Sequence, residues 1–143
     1  MISITKIFRF EAAHAIYKYP GSCQNIHGHS YELQVTVQAG QLSEDFIHGL
    51  GISIDFKDLK TRFQEAVIKV LDHKLILSKA YLAKVKNTFS PDELVIFDFE
   101  PTAENLLIFS RNQIRSNLPE HIQLKSLRLY ETRDSFADWS DVK

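Results

Sequence analysis

Cysteine is almost missing from this 143-residue sequence, in which Cys23 is the single example. One cysteine per chain excludes an internal disulfide bond. It also excludes a structural zinc site that one chain would build from four cysteines, or from two cysteines and two histidines. Because cysteine-poor chains without disulfide bonds are typical of reducing compartments, we expect a cytoplasmic location.

Long apolar runs and blocks of like charge are missing as well. No stretch approaches the roughly 20 apolar residues of a membrane-spanning helix. The first ten residues alternate apolar with polar side chains, so we expect neither a signal peptide nor a membrane partner. Seventeen basic and eighteen acidic residues leave a formal net charge of -1. This balance predicts no nucleic-acid partner.

Glycine and proline are scarce too, with five and four examples, and no linker, repeat or low-complexity tract interrupts the chain. A length of 143 residues suits one domain, so we expect a single domain over residues 1–143. A chain of this size buries about 68–70% of its unfolded surface. It therefore needs no metal merely to stay folded.

Alternating apolar and polar residues predict three long strands. The first ends at His14, the second covers residues 29–39 and the last covers residues 122–132. Residues 94–99 suit a further short strand, whereas the rest of the segment 76–100 has no clear period.

Helical spacing of apolar residues predicts two helices. One covers residues 55–71 with Asp55 as its N-cap, and the other begins at the sequence Pro101-Thr102. Paired strands with helices on one face define an α+β fold class.

Three histidines form the most informative pattern in the sequence. His27 and His29 are two residues apart and project to the same side of an extended backbone. An antiparallel neighbour would bring His14 across to them. Three neutral imidazoles leave one coordination position of a tetrahedral zinc ion open, as catalytic zinc sites do. Gly28 between the pair would permit a close backbone approach or an unusual dihedral angle.

Two other interpretations of the histidines have to be weighed. Most His-x-His pairs bind no metal, so the pair alone is weak evidence. A cupin would also contain His-x-His, but it needs a glutamate after three or four intervening residues, and Glu32 follows after only two. The helix that follows also disfavours a cupin.

Four further residues are candidates for the chemistry, each with a plainer alternative. Cys23 lies four residues before His27, where its thiolate could act as base or nucleophile, although single cysteines are often small buried apolar residues. Asp72 and His73 could be a general acid/base pair, or simply end a helix. Glu131 shares the core-facing parity of its strand and could accept paired N–H donors of a ligand, unless the strand end is exposed.

Six motifs together are similar to the family of 6-pyruvoyltetrahydropterin and 6-carboxytetrahydropterin synthases, over nearly the whole chain. Each motif is weak alone, but their common order and spacing make the resemblance strong. The motifs are Phe10-Glu-Ala-Ala-His14, Cys23-x-x-x-His27-Gly28-His29, Asp55-Phe56, Leu71-Asp72-His73, Pro101-Thr-Ala-Glu-Asn105 and Tyr130-Glu131-Thr132.

The resemblance implies a tunnelling fold (T-fold), in which a four-stranded antiparallel sheet carries two helices on one face. It also implies a homohexamer built as a dimer of trimers, with each active site between subunits. Its metal ligands for Zn²⁺ would be His14, His27 and His29. Cys23 would be the proton-abstracting base, Asp72 and His73 the proton-relay residues, and Glu131 the anchor of the pterin ring.

The implied substrate is 7,8-dihydroneopterin triphosphate. The three-residue gap between Cys23 and His27 resembles the carboxy-forming enzymes, which release acetaldehyde and triphosphate and supply queuosine and other 7-deazaguanine pathways. The alternative within the family is 6-pyruvoyltetrahydropterin synthase, because residues 74–100 are longer than in compact carboxy-forming members. A non-enzymatic zinc- or pterin-binding module is the remaining alternative.

Overall fold

A computed structural model describes residues 2–40, 45–85 and 89–142. Their strands are β1 Ile4–His14, β2 His27–Ala39, β3 Lys74–Ser78, β4 Leu94–Phe97, β5 Ile122–Thr132 and β6 Ser135–Ser140. Their helices are α1 Phe56–Phe63, α2 Lys69–Leu71, α3 Lys79–Lys84 and α4 Ala103–Asn117, with the π-helical turn Gln64–Ile68 joining α1 to α2.

The six strands form one mixed sheet in the order β4-β3-β1-β2-β5-β6. The last four strands of this order are antiparallel, whereas β3 runs parallel to both β1 and β4. The predicted α+β class is confirmed, but the predicted four-stranded antiparallel sheet is wrong. Two short parallel strands from the segment 74–100 extend it at one edge.

One face of the sheet carries the main core. Its side chains alternate along β1, β2 and β5, and they pack against α1, the π-helical turn, α2 and α4. The largest of these fully buried residues include Tyr31, Leu33, Leu59, Phe63, Leu106, Ile114, Leu127 and Leu129. Burial of a large apolar side chain contributes about 1.5–3 kcal/mol, so this layer dominates stability.

Both long helices begin at side-chain caps. Asp55 accepts a hydrogen bond from the Lys57 backbone N–H at 2.7 Å, and Thr102 accepts one from the Asn105 N–H at 3.2 Å. The predicted starts of the two helices are therefore confirmed. None of the helices in the described ranges is long and apolar enough to cross a membrane.

A second, smaller core lies under the residues that follow β1. Ala15, Leu77 and Tyr81 are its buried members. Partly buried side chains of Tyr17 and of residues 75–94 pack around them. The segment 74–100 supplies most of this cluster through β3, α3 and β4. The segment 74–100 therefore packs against the start of the loop that connects β1 to β2.

Candidate metal centre and adjoining cavity

Strand register brings the three histidines together. In the antiparallel pair of β1 and β2, His14 lies opposite His27, and Ala12 lies opposite His29. The ring centroids of the three imidazoles are 4.6, 4.9 and 5.1 Å apart. One nitrogen from each ring lies within 4.8 Å of the others. The sequence prediction that the three residues converge is confirmed.

Backbone carbonyls orient two of these rings. The Nδ1 atom of His14 lies 2.7 Å from the Pro101 carbonyl oxygen, and the Nδ1 atom of His27 lies 2.7 Å from the Asn25 carbonyl oxygen. Because a carbonyl only accepts hydrogen bonds, each Nδ1 carries the proton in the neutral ring. Each Nε2 is then left with a lone pair, which is the tautomer that a metal ligand needs.

The third ring has an unsatisfied nitrogen. Nε2 of His29 is buried and has no hydrogen-bond partner among the described residues, although the nearest carboxylate oxygen of Glu131 lies 3.6 Å away. A buried polar atom without a partner is uncommon, and a bound ion or ligand would satisfy it. Burial also lowers the pKa of His14 and of His29, which keeps both rings neutral. This set of three nitrogen donors could hold a metal ion.

A cavity of about 350 Å³ adjoins the histidines. His14, Cys23 and Glu131 all line it, so three of the predicted site residues share one space. Cys23 lies in a short 3-10 turn, Ser22–Gln24, and is half-buried. The side chain of Glu131 is 27% exposed, which agrees with the predicted partly buried position.

Sequence reasoning missed several residues of this cavity. Tyr19 and Phe136 supply aromatic walls, and Glu104 stands in the first turn of α4. The motif Pro101-Thr-Ala-Glu-Asn105 contains Glu104, but it indicated only a helix start and the family resemblance, and no site residue. Tyr19 follows a loop without periodicity, which offers no signal from which to place it.

Asp72 and His73 form a pair elsewhere. The Nδ1 atom of His73 lies 2.9 Å from Oδ1 of Asp72, and His73 adopts a left-handed backbone with φ of 58°. Both residues bind the backbone of Glu11. Its N–H donates to the Asp72 carboxylate at 3.0 Å, and its carbonyl accepts from the His73 N–H at 2.6 Å.

The pair does not line the cavity that holds Cys23. His73 instead lines a second cavity of about 450 Å³, together with His29 and Lys74. His14 and Cys23 therefore share one cavity, and the Asp72–His73 pair lies outside it.

Gly28 plays no special steric role in the site. A Cβ atom built there would meet only the Ala12 carbonyl oxygen, at an ordinary contact distance of 3.6 Å. Its backbone is also outside the left-handed region that glycine alone adopts freely. The expectation that Gly28 permits a close approach or an unusual dihedral angle is therefore wrong.

Fold and site together define a class of α+β proteins that gather three histidines from two neighbouring strands beside a ligand-sized cavity. Comparison with known proteins identifies the family. Residues 3–141 match the family 6-pyruvoyl tetrahydropterin synthase, and the chain belongs to it.

Individual relatives agree with this assignment. The chain is 30% identical to the 6-carboxy-5,6,7,8-tetrahydropterin synthase of Haemophilus influenzae, over 99% of this chain and 100% of that protein. It is 31% identical to the protein of the same name from Rickettsia typhi, over 96% and 99%. The solved Caenorhabditis elegans 6-pyruvoyl tetrahydropterin synthase shares the fold, with a TM-score of 0.69, 20% identity and coverage of 99% and 96%.

Proposed function

We propose that this protein is a zinc-dependent 6-carboxytetrahydropterin synthase, with residues 1–143 as its single catalytic domain. With one water molecule, it would convert 7,8-dihydroneopterin triphosphate into 6-carboxy-5,6,7,8-tetrahydropterin, acetaldehyde and triphosphate. The observation that carries the proposal is the convergence of three histidines, one of which, His14, lines a cavity together with Cys23 and Glu131. Full-length identity of about 30% to proteins named for this activity supports it.

His14, His27 and His29 would hold the zinc ion through their Nε2 atoms. Bound there, zinc supplies Lewis-acid chemistry that makes the hydroxyl groups of the substrate side chain, and the neighbouring C–H bonds, more acidic. The three rings need little rearrangement for this task. Two are already held in the ligand tautomer by backbone carbonyls, and the third has no competing hydrogen bond among the described residues.

Within this cavity, Cys23 would act as the base and Glu131 would bind the pterin ring. Cys23 would remove the proton from the activated side chain as a thiolate. Glu131 would accept two N–H groups of the pterin ring, a bidentate contact that fixes the ring and directs its side chain toward the histidines. A cavity of about 350 Å³ is of the size that small-molecule ligands occupy.

Asp72 and His73 would relay protons to the substrate of a neighbouring subunit. The Asp72 carboxylate holds the His73 ring at 2.9 Å, so His73 is oriented while 78% of its side chain is exposed. A general acid/base must lie within hydrogen-bond reach of its substrate, and the Cys23 cavity of the same chain does not include this pair. We therefore propose that subunits assemble with this pair facing the Cys23 cavity of a partner.

The strand edges support such an assembly. Among the described residues, β1 pairs with β3 only over Ala12–His14, and β6 forms the opposite edge of the sheet. Open strand edges are templates for pairing with another chain. The proposed assembly is a homohexamer made of two trimers, as the family resemblance implies. A cytoplasmic location and a role in queuosine synthesis are parts of the same proposal.

The alternative, 6-pyruvoyltetrahydropterin synthase, would use the same residues and is favoured by the name of the matching family. Product analysis separates the two. Zinc-loaded protein incubated with 7,8-dihydroneopterin triphosphate should yield acetaldehyde and a carboxylated tetrahydropterin, identified by mass spectrometry. A pyruvoyl product without acetaldehyde would select the alternative. Full zinc loading without any release of triphosphate would contradict both.

A further inference from the structure

The segment just before α4 contacts both the end of β1 and the loop that follows it, through Pro101 and Glu100. Pro101 accepts a hydrogen bond from the His14 ring, and Thr102 caps α4. Between this cap and the end of β4, the side chain of Glu100 turns toward the loop. Its Oε1 accepts the backbone N–H of Tyr17 at 2.6 Å.

The hydrogen bond from Tyr17 lies next to the connection that places Cys23. The N–H of Ile16 donates to the carbonyl oxygen of Cys23 at 2.8 Å. Glu100 thus binds the backbone at Tyr17, one residue after Ile16, whose N–H is hydrogen-bonded to Cys23. The N–H of Tyr19 donates to the Ile16 carbonyl at 3.3 Å, so Tyr19 belongs to the same turn. The three cavity residues of this loop, Ile16, Tyr19 and Cys23, therefore depend on this short stretch.

Glu100 is itself well anchored. Its carbonyl oxygen accepts from the Thr102 N–H at 2.9 Å and from the Asn105 side-chain amide at 3.0 Å. Its carboxylate is half-buried and is not part of the cavity lining. From the other side, the second core packs Ala15 against Leu77 and Tyr81. The start of the Cys23 loop is therefore held by one carboxylate and one apolar contact.

We infer that Glu100 is a positioning residue that fixes the Cys23 loop relative to the histidine cluster, through its hydrogen bond from the Tyr17 N–H. The inference rests on the proposed function, in which Cys23 removes a proton. A hydrogen bond to an ionised acceptor is about twice as strong as a neutral one, which suits a single contact that must hold a loop.

Four variants separate positioning from other roles. Glu100→Ala removes the acceptor, and Glu100→Asp keeps the charge but shortens the side chain by one methylene. Glu100→Gln keeps an acceptor oxygen at the same reach without the charge. Glu120→Ala removes an exposed carboxylate just beyond the far end of α4 and serves as the control.

Three measurements are made on each zinc-loaded variant: amide hydrogen exchange at Tyr17, alkylation of Cys23 by iodoacetamide, and steady-state kinetics of triphosphate release. In Glu100→Ala and Glu100→Asp we expect protection at the Tyr17 amide to fall about tenfold or more. Alkylation of Cys23 should become faster in both. Misplacement of a catalytic group by about 1 Å costs roughly 100-fold in rate, so kcat should fall about 10- to 100-fold with little change in KM. Glu100→Gln should stay within about threefold of wild type because its acceptor remains.

Several results would overturn the inference. One is unchanged Tyr17 protection in Glu100→Ala. Another is an equal loss of kcat in Glu100→Gln and Glu100→Ala. The third is a rise in KM with unchanged kcat in Glu100→Ala. If wild-type protein releases no triphosphate, the proposed function fails instead. Hydrogen exchange and alkylation still decide whether Glu100 holds the loop, because neither requires turnover.

Discussion

The Nε2 atoms of His14 and His27 lie 3.0 Å apart, yet neither can donate a hydrogen bond to the other while both rings are neutral. Each ring keeps its proton on Nδ1, where a backbone carbonyl accepts it. Two lone pairs that face each other at this distance repel, unless a cation lies between them. The structure is therefore preorganised for an ion before any ion binds.

Loss of one ligand should release the metal without unfolding the chain. We expect His29→Ala to reduce bound zinc from about one ion per chain to a small fraction, since two remaining imidazoles bind a tetrahedral ion poorly. The main core does not involve this side chain, so the far-ultraviolet circular dichroism spectrum should stay native. Metal analysis after dialysis measures the first result.

His121→Ala is the matched control, because His121 is exposed and lies before β5, outside the histidine cluster. It should keep full zinc content. If His29→Ala unfolds outright, the metal is structural in this protein and the proposed site is wrong.

Acidification should destabilise the metal-free protein. Burial lowers the pKa of His14 and His29 below the usual histidine value of 6.5, so between the lowered values and 6.5 the unfolded chain binds more protons than the folded chain. The contribution of these two histidines to the free energy of unfolding is therefore fully present above pH 6.5. It is lost as the pH falls toward the lowered pKa values. Urea unfolding of EDTA-treated protein should give a lower free energy of unfolding at about pH 6.0 than at about pH 7.5.

The double variant His14→Asn/His29→Asn tests the cause of this pH dependence. It removes both buried imidazoles, so its free energy of unfolding should change less over the same pH range. An equally steep dependence in the double variant would place the responsible groups elsewhere.

Removal of the thiol should abolish turnover and leave the metal in place. We expect Cys23→Ala to lower kcat by about 10²- to 10⁴-fold, the usual contribution of a general base. The half-buried turn around Cys23 tolerates a smaller side chain, so zinc content should be unchanged. Steady-state assays and metal analysis on one preparation check both statements.

Cys23→Ser, which keeps a small polar group without an easily formed anion, is the matched variant and should be nearly as inactive. If Cys23→Ala leaves every measured property intact, the protein is a binding module and not an enzyme.

A methyl group at position 21 should reshape the cavity through Tyr19. A Cβ atom built on Gly21 would lie 2.9 Å from Cε1 of the Tyr19 ring, closer than such atoms approach. The ring is the movable end of an exposed side chain, so it shifts at little cost and the fold survives. Since Tyr19 lines the cavity, we expect Gly21→Ala to raise KM several-fold while kcat changes less.

Gly40→Ala is the control for this variant. Its added Cβ would meet only the His121 carbonyl oxygen at 3.5 Å, an ordinary contact far from the cavity lining. Equal KM values for wild type and Gly21→Ala would show that Tyr19 does not contact the substrate.

The sequence predicts the convergence of the three histidines well because local periodicity determines it. Alternation fixes the side of the sheet on which each histidine stands, and the antiparallel pairing of β1 and β2 then determines their register. The dyad of Asp72 and His73 is also a local feature of adjacent residues. Its placement outside the Cys23 cavity is not a local feature, because it depends on how distant segments of the chain pack together.

Short strands explain most of what the sequence did not predict. β3 and β4 contain five and four residues, too few to display a period, and their parallel pairing depends on distant segments. β6 follows a two-residue turn, Arg133-Asp134, that lacks the glycine or asparagine typical of tight hairpins. The short strand predicted over residues 94–99 is confirmed, although it ends at Phe97.

Asp72 and His73 use both backbone hydrogen-bonding groups of Glu11. Another strand that pairs with the outer edge of β1 therefore cannot extend its pairing past Glu11. Beyond Glu11, β3 covers Ala12–His14, so only residues 4–10 stay open on the outer side of β1. In the proposed assembly, β6 of a second copy could pair with residues 4–10 of β1 but not with Glu11 or the residues after it. Within that assembly, one alignment of the two strands would thereby be favoured over its neighbours, and slippage by two residues would be blocked at its inner end.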